Sequence, residues 1–564
     1  MNTSPITGGR LVVELLRSLG VKYVFGVVGG QTLAITDAII DTPGIELVHT
    51  RHENAAAVMM DAYGRLTGKP AACISTTGPG ATNLITGIGG AYRDSSPGFV
   101  LTCNNNGENI HKDDAQNADH VELIKPLVKY SRLVAHASSI KQAMEEAYVN
   151  AVTGNPGPVH LDFARDTIEG LVNDPPTVPA THPSLRWAGE RPSPNPVAVA
   201  RVAERLLRAE RPVIWLGNGG NRARADQEVL ALAEALGVPV VTTFNGIGSV
   251  PTTHPLVYGP VTRMGTALAG RVLGEADVVL ALGNSLNAVS TTRWRRELPE
   301  IVQVDVDPAM IGRYYSEVTD GIVGDLAAFA RDLVTAVGDR AAGARESREE
   351  WLASLDKQRT AWWQESEVTD LDAQGPLSPA DIVRALREPA PDETLLIPDA
   401  GNPGVWSFLW DVRRPGSYIK PVGFGNMGFA LPSAIAASLI DPTRPVLALI
   451  GDGSLAMSLG ELETLARVGG NVCVVVLNDS SYGNIRQEQE LHFDGRTIGV
   501  DFGPVDFGAV AQAMGVAGRQ VNDLSELRQR VADSFAAGRP TVLDVTIDRD
   551  VNAWTYPAFT GPRP

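Results

Sequence analysis

The chain has 564 residues, 44% of them hydrophobic, and a formal net charge of −17. Such an acidic surface repels phosphate backbones, which argues against nucleic acid as a partner. No apolar run approaches the length that spans a membrane, and Glu14 and Arg17 interrupt the apolar pattern of the first helix, which is therefore amphipathic and not a signal peptide.

The three cysteines, Cys73, Cys103 and Cys473, each lie in an apolar run, and no CxxC spacing occurs. This usage is typical of small buried hydrophobic side chains in a reducing compartment. We therefore expect a cytoplasmic protein that does not rely on disulfides or on a cysteine-bound metal.

Two segments rich in proline or charge, 173–196 and 343–379, divide the chain into three blocks. Each block alternates apolar runs with helical patterns, which is typical of parallel strands covered by helices on both faces. We predict an α/β fold of three doubly wound parallel-sheet domains, at 1–175, 195–340 and 375–555. The predicted strands are 22–28, 70–76, 98–104, 211–217, 238–244, 276–283, 301–307, 394–400, 445–453, 471–479 and 540–547.

Ligands of such sheets bind beyond the carboxyl ends of the strands, so the loops there are the informative ones. In the first block FGVVGGQ carries Gly29, STTGPGATN carries Asn83, and DDAQN carries Gln116. Another strand, in IELVHTRHEN, leads to Glu53, where a helix begins. By position alone Glu53 is explained by the favourable placement of an acid at a helix N-terminus. In a poorly solvated cleft the same carboxyl could act as an acid or a base.

The second block offers a weak nucleotide signal. Its first strand leads into the glycine-rich turn GNGGN, and Asp305 and Asp307 follow its last predicted strand. These acids could bond a ribose hydroxyl, or they could cap the turn before Pro308.

The third block ends two neighbouring strands with an acid. PVLALIGDGS predicts a strand, a tight turn and a helix, with Asp452 at the strand tip, and VCVVVLNDSSYG ends at Asp479. One helix and one return strand separate the two, so both tips could lie side by side. Mg²⁺ held by one or two carboxylates and phosphate oxygens fits this arrangement. Alternatively, both are ordinary turn residues, because Asp readily bonds its own backbone.

These motifs together resemble the thiamine-diphosphate-dependent enzymes, in the branch of acetolactate synthase, pyruvate oxidase and benzaldehyde lyase. GDGS followed by LNDSSYG is similar to the family's diphosphate–metal motif, and DAGNPGVW and GFGNMGFALP are similar to its other cofactor segments. The resemblance covers nearly the whole length. It implies an N-terminal pyrimidine-binding domain, a central domain and a C-terminal diphosphate-binding domain.

The resemblance implies thiamine diphosphate and Mg²⁺ as cofactors. Asp452, Asp479 and the backbone carbonyl of Ser481 would hold the metal, although relatives more often carry Asn where this chain has Asp479. The Met427 side chain would lie under the thiazolium ring. The residues implied to bind the cofactor are Gly29, Asn83, Gly401, Asn402, Gly404, Gly425, Met427, Gly451, Gly453, Ser454, Tyr482 and Gly483.

The resemblance also assigns the catalytic residues and the assembly. Glu53 would bond N1′ of the aminopyrimidine, and Gln116 would approach the reacting atoms. Glu53 and Asp452 would come from different subunits, which implies at least a homodimer and commonly a homotetramer. Relatives use the central domain for FAD, for ADP or for neither, so FAD or ADP stays possible.

The implied chemistry is cleavage or formation of a C–C bond next to a carbonyl, by a 2-oxo acid decarboxylase/carboligase or an acyloin-type lyase. Three substrate positions depart from acetolactate synthase: Val289 replaces an arginine, Ala115 an aromatic residue and Glu488 a tryptophan. Arg293 and Arg295 lie near the first of these.

Three alternatives remain at this point. QEQ around Glu488 resembles a motif of 2-hydroxyacyl-CoA lyases, in which a glutamate could shuttle a proton. The others are acetolactate synthase itself and a non-catalytic cofactor-binding homologue. The substrate would accordingly be a 2-oxo acid, a hydroxyketone or a hydroxyacyl-CoA.

Overall fold

The structure, a computed structural model, describes residues 5–173, 175–176, 178, 183–365 and 375–559. Parts of the two predicted linkers, at 174, 177, 179–182 and 366–374, lie outside the described residues. Within these ranges, no helix is both long enough and apolar enough to cross a membrane.

The N-terminal domain is a six-stranded parallel sheet between two layers of helices. Its strands are β1 (Ile6–Thr7), β2 (Tyr23–Gly26), β3 (Glu46–His49), β4 (Ala71–Ser75), β5 (Gly98–Asn104), β6 (Ser131–Val134), β7 (Pro158–Ala164) and β8 (Leu171–Val172). Its helices are α1 (Gly8–Ser18), α2 (Leu33–Ile40), α3 (Glu53–Thr67), α4 (Pro79–Asn83), α5 (Ile85–Arg93), α6 (His120–Ile124), α7 (Ile140–Val152) and α8 (Arg165–Glu169). The sheet order is β3-β2-β4-β5-β7-β6, and β1 pairs with β8 in a separate antiparallel ribbon.

The central domain repeats this design with the order β11-β10-β9-β12-β13-β14. Its strands are β9 (Pro212–Leu216), β10 (Val240–Thr242), β11 (Val257–Pro260), β12 (Val278–Leu282), β13 (Glu300–Asp305) and β14 (Val318–Val323). Its helices are α9 (Pro196–Arg208), α10 (Asn218–Ala223), α11 (Asp226–Leu236), α12 (Ala267–Gly274) and α13 (Leu326–Val337), followed by α14 (Arg340–Glu346) and α15 (Glu349–Glu365).

The C-terminal domain has five parallel strands in the order β15-β16-β17-β19-β18. They are β15 (Leu395–Pro398), β16 (Val446–Gly451), β17 (Val472–Asn478), β18 (Ala517–Val521) and β19 (Thr541–Thr546). The helices are α16 (Pro379–Arg387), α17 (Asn402–Trp406), α18 (Ala430–Ile440), α19 (Asp452–Met457), α20 (Glu461–Val468), α21 (Gly483–His492), α22 (Phe507–Ala513) and α23 (Leu524–Ala537). The predicted three parallel-sheet α/β domains are therefore confirmed.

The predicted second linker is partly an element of the central domain. Its residues form α14 and α15, and Arg348 between them is buried. Its guanidinium donates to the carbonyl oxygens of Leu206, Ala209 and Leu236. These three bonds, made by the two terminal nitrogens of a buried guanidinium, tie this segment to α9 and α11, because breaking them would leave buried polar groups unpaired at a cost in free energy.

The three domains meet around Asp94. Its carboxylate accepts hydrogen bonds from Arg65 at 2.7 Å, from Asn245 of the central domain at 2.7 Å and from the backbone of Gly423 at 2.8 Å. Next to it α3 packs against α18, and one hydrophobic core runs across both domains. The packing of the N- and C-terminal domains therefore sets where their strand-end loops lie.

Candidate cofactor site

Two carboxylates stand at adjoining strand tips of the C-terminal sheet. β16 pairs in parallel with β17 up to Gly451 opposite Leu477, and Asp452 and Asp479 follow these strands. Asp452 is 2% exposed. Its Oδ1 accepts from the backbone N–H of Gly453 at 2.7 Å, and its Oδ2 is buried without a hydrogen-bond partner among the described residues.

Burial, and then the charge of Asp479, raise the pKa of Asp452 from its ordinary value of 3.8 to about 7. Burial also raises the pKa of Asp479, whose Oδ1 accepts from the backbone of Ser481 at 3.2 Å. An unpaired buried carboxylate oxygen beside a second carboxylate is costly unless a cation neutralises it. The residues present therefore fit Mg²⁺, which takes one or two protein carboxylates and completes its shell with phosphate oxygens and water.

Two glycines beside this pair stand where a side chain would clash. A Cβ on Gly453 would lie 2.6 Å from the Tyr482 ring, and a Cβ on Gly483 would lie 2.8 Å from Oδ2 of Asp479. Gly451 ends β16, and Ser454 lies within α19. The backbone can therefore pass close to a ligand here, as a diphosphate cradle requires.

The loop after β15 reaches the same place. Gly401 adopts φ +79°, which glycine tolerates, and Gly404 lies in the α17 turn that follows. The Asn402 amide donates to Gln487 at 3.2 Å and accepts from Asn484 at 2.9 Å, both on α21. The loop is thus held directly beside the helix that begins next to Asp479.

The segment before α18 presents Gly425 and Met427. Gly425 is exposed with φ +70°, and Met427 is half-buried. The preceding Phe424 is 46% exposed, and a Cβ on Gly89 of α5 would lie 2.8 Å from its ring. Buried Asp399 anchors the segment by accepting from the backbone of Gly428 and Ala430.

Glu53 begins α3, and its Oε2 accepts from Nδ2 of Asn83 at 3.0 Å. The loop before it is held by Glu461 of α20, a residue that sequence reasoning missed. One Glu461 oxygen accepts from the backbone N–H groups of Arg51 and His52, both at 3.0 Å. The C-terminal domain therefore positions Glu53, which no local pattern could reveal.

Gln116 lies in a tight loop, with φ +59°. Its carbonyl oxygen accepts from the Thr77 hydroxyl at 3.2 Å, and a Cβ on Gly78 would lie 2.3 Å from that oxygen. Buried His120, also missed from the sequence, accepts from the Gly78 backbone through Nε2 at 3.0 Å and bonds Asp162 through Nδ1 at 2.9 Å. A neutral His120 with its proton on Nδ1 satisfies both contacts and fixes the Gly78 loop against which Gln116 packs.

Gly29 completes the N-terminal half of the site. A Cβ there would lie 2.5 Å from Cβ of Thr76, so the two strand-end loops touch. Among the described residues of one chain, no hydrogen bond or ion pair joins Glu53 to Asp452 or Asp479.

Comparisons with known proteins match this arrangement domain by domain. The N-terminal TPP binding domain of thiamine pyrophosphate enzymes matches residues 6–123, their central domain matches 199–333, and their C-terminal TPP binding domain matches 399–545.

The chain belongs to the thiamine pyrophosphate enzyme family.

Relatives extend this similarity over nearly the whole chain. A probable acetolactate synthase large subunit of Methanocaldococcus jannaschii is 32% identical over 96% of this chain and 92% of its own length. The acetolactate synthase large subunit of Parasynechococcus marenigrum is 32% identical, over 97% and 89%. The Escherichia coli isozyme 3 large subunit is 31% identical, over 96% and 95%. The predictions of the family and of a thiamine-diphosphate-dependent enzyme of the carboligase type are therefore confirmed.

The residues predicted to lie in the substrate region are partly or fully exposed. Glu488 lies on α21 and pairs with Arg263, which precedes α12, at 3.3 Å. Val289 is 37% exposed. Ala115 lies in the exposed Gln116 loop, and its carbonyl accepts from Asn105 at 3.0 Å. Arg293 and Arg295 are both exposed, in the turn after Val289.

In this thiamine pyrophosphate enzyme the carboxyl edge of the central sheet holds a cavity of about 530 Å³, lined in part by Gly217, Asn218, Arg222, Asn284, Asp305 and Asp325. Asp305 accepts from the backbone of Asp307, and Asp307 accepts from that of Ala309, both at 2.9 Å. Both acids thus serve the turn that precedes Pro308, one of the two roles predicted for them.

Proposed function

We propose that this protein is a Mg²⁺- and thiamine-diphosphate-dependent carboligase that takes a 2-oxo acid as donor and joins its acyl unit to a second carbonyl compound. The observation that carries the proposal is the buried Oδ2 of Asp452, which has no hydrogen-bond partner among the described residues and lies beside Asp479 at the edge where two glycine loops meet. The full-length similarity to proteins named acetolactate synthase supports the donor class.

In this proposal Asp452, Asp479 and the carbonyl of Ser481 hold Mg²⁺. Gly401, Asn402, Gly404, Gly451, Gly453, Ser454, Tyr482 and Gly483 surround the diphosphate, and Gly29, Asn83, Gly425 and Met427 hold the rings. When bound, thiamine diphosphate supplies the electron sink that stabilises negative charge next to a carbonyl carbon. FAD or ADP in the central cavity would serve a structural role.

Glu53 would hold and move the proton at N1′ of the pyrimidine. Asn83 orients its carboxyl through Oε2, whereas Oε1 accepts no hydrogen bond from the described residues. That oxygen is available to a ligand. Gln116, fixed through its backbone by Thr77, would orient the substrate above the reacting carbon.

The proposed active site is shared between two subunits. Large apolar side chains stand exposed beside both halves of the site: Val28 and Leu33 flank Gly29, and Phe424 precedes Gly425, at 44%, 53% and 46% exposed. Apolar surface of this kind marks interfaces. We propose a homodimer at minimum and a homotetramer as the assembly. The three cysteines are buried and unpaired, which fits the proposed cytoplasmic location.

Product analysis tests the reaction. The protein loaded with thiamine diphosphate and Mg²⁺ would be incubated with pyruvate and other 2-oxo acids, with 2-hydroxyketones and with short 2-hydroxyacyl-CoAs, and the products identified by mass. We expect CO₂ release and a ligated hydroxyketone-type product from the 2-oxo acids. Acetolactate from pyruvate alone would identify an acetolactate synthase. Cleavage of hydroxyacyl-CoA without turnover of any 2-oxo acid would contradict the proposal.

Both the stability of the metal-free protein and its affinity for Mg²⁺ should change with pH. The metal-free protein is expected to lose stability as the pH rises from the ordinary Asp pKa of 3.8 through about 7, because the Asp452 carboxyl then ionises in a buried place beside the charge of Asp479. Mg²⁺ must displace this proton, so its affinity should rise up to about tenfold per pH unit below that pKa and level off above it. Melting curves with and without MgCl₂ across this range measure both effects. Asp452→Asn should remove the pH dependence; a wild-type affinity that is flat in pH would contradict the assignment.

A further inference from the structure

The helix α21 runs from the proposed metal site to the partly exposed surface where Glu488 lies. It begins at Gly483, whose position abuts Oδ2 of Asp479. Glu488 lies five residues further, about 7.5 Å along the helix axis. It is one turn beyond Asn484, which bonds Asn402 of the diphosphate loop, and residues four apart share a helix face. Glu488 therefore stands above the cofactor loops.

Its partner comes from another domain. Arg263 lies in the loop between β11 and α12, and its backbone N–H donates to the carbonyl of Val289 at 3.0 Å. Its guanidinium lies 4.8 Å from the centre of the Trp554 ring, and Trp554 is 5% exposed. A cation over a buried indole is held in place without using its N–H donors.

Within the described part of the chain, the Arg263–Glu488 contact uses only a small part of the hydrogen-bonding capacity of either group. It is a single N–H···O contact of 3.3 Å, longer than a good charge-assisted hydrogen bond. The side chains remain 38% and 31% exposed. A guanidinium has five donors and favours two parallel bonds to a planar carboxylate. The pair is therefore weak and can be exchanged for a better ligand.

Two other arginines, one on α21 and one that contacts it, are already paired. Arg486 donates to Glu490 at 2.7 Å and to the carbonyl of Arg549, and Arg549 pairs with Asp501. An anionic substrate approaching a site that contains two carboxylates needs a local positive charge. Arg263 supplies one directly beside α21, and the exposed Arg293 and Arg295 lie further along, in the turn after Val289.

We propose that Arg263 binds the carboxylate of the 2-oxo acid substrate, and that Glu488 is the exchangeable counter-ion that holds Arg263 while the site is empty. The inference rests on the proposed function and specifies its substrate as an anionic one. It makes Glu488 a determinant of substrate affinity, not the proton shuttle of a hydroxyacyl-CoA lyase.

The test compares pyruvate, as substrate, with its neutral methyl ester, which cannot lose CO₂ and is used as an inhibitor, in steady-state kinetics on the protein loaded with Mg²⁺ and thiamine diphosphate. Arg263→Gln should raise KM for pyruvate about 10- to 100-fold, and should leave the inhibition constant of methyl pyruvate nearly unchanged. Arg263→Lys keeps the positive charge but loses the two parallel N–H donors of the guanidinium. Its KM for pyruvate should lie between those of the wild type and of Arg263→Gln. Glu488→Gln should lower KM for pyruvate by up to about fivefold, with kcat unchanged.

The outcomes separate the two proposals. If the wild-type protein turns over pyruvate, and Arg263→Gln does not raise KM for pyruvate more than it raises the inhibition constant of methyl pyruvate, the inference is wrong and the proposed function stands. A large loss of kcat in Glu488→Gln would assign proton transfer to Glu488 and overturn the counter-ion role. If the cofactor-loaded wild type neither binds nor converts any 2-oxo acid, the proposed function fails and the inference fails with it. Melting temperature and cofactor affinity of each variant control for folding.

Discussion

Replacing Glu53 by glutamine should lower turnover by about 10²- to 10⁴-fold while thiamine diphosphate and Mg²⁺ still bind. The amide keeps the shape of the side chain and its contact with Asn83, but it cannot hold or move a proton at N1′ of the pyrimidine. The loss should therefore fall on kcat, with little change in the melting temperature. Single-turnover kinetics on protein saturated with cofactor would measure it.

Glu46→Gln is the matched control, because Glu46 is an exposed residue on β3, the strand that leads to Glu53. It should retain full activity. Turnover by Glu53→Gln equal to that of the control would show that the proposed proton transfer does not pass through Glu53. If the variant loses cofactor binding as well, Glu53 contributes mainly to affinity.

The second large effect is expected at the metal pair. Asp452→Ala should weaken Mg²⁺-dependent binding of thiamine diphosphate by at least about 100-fold, because it removes a direct metal ligand. Loss of a residue that only supports a metal ligand already lowers metal affinity by about 10- to 100-fold. The melting temperature of the metal-free protein should not fall correspondingly, since the variant also removes a buried carboxyl group whose Oδ2 has no hydrogen-bond partner among the described residues. Calorimetry with and without Mg²⁺ measures the first effect.

Asp479→Asn is the informative comparison. It keeps an oxygen at the ligand position and removes the charge that helps to raise the pKa of Asp452. We expect it to bind the cofactor and to shift the pH dependence of Mg²⁺ binding to lower pH. If Asp479→Asn loses as much Mg²⁺-dependent cofactor binding as Asp452→Ala, the charge of Asp479 is needed. Undiminished binding by Asp452→Ala would exclude Asp452 as a metal ligand.

Much of the fold could be read from local patterns. Strands such as β5 and β17 are continuous apolar runs because parallel strands are buried on both faces. The periodic spacing of their flanking helices completed the prediction of three doubly wound domains. Since strand tips of such sheets bind ligands, the same patterns also pointed to Asp452 and Asp479.

Other features had no local signature. The predicted linker around Arg348 folds onto α9 and α11, although its charged composition is typical of solvated segments. Glu461 holds the loop before Glu53, and His120 holds the Gly78 loop that packs against Gln116, each through contacts with backbone N–H groups. Backbone groups have no residue identity, so a side chain that bonds them leaves no recognisable pair in the sequence.

The sequence by itself determined the architecture, the family and the strand-tip acids, because periodicity and short motifs record local burial and close backbone approach. The tertiary structure alone decided what surrounds those acids. Arg263 and Glu488 are 225 positions apart, and Arg51 and Glu461 are 410 apart. Contacts across such distances depend on how separate domains dock, and the docking follows from shared packing surfaces such as those of α3 and α18. Glu488, an acid on a short helix by its sequence, becomes the counter-ion of an arginine only in the folded molecule.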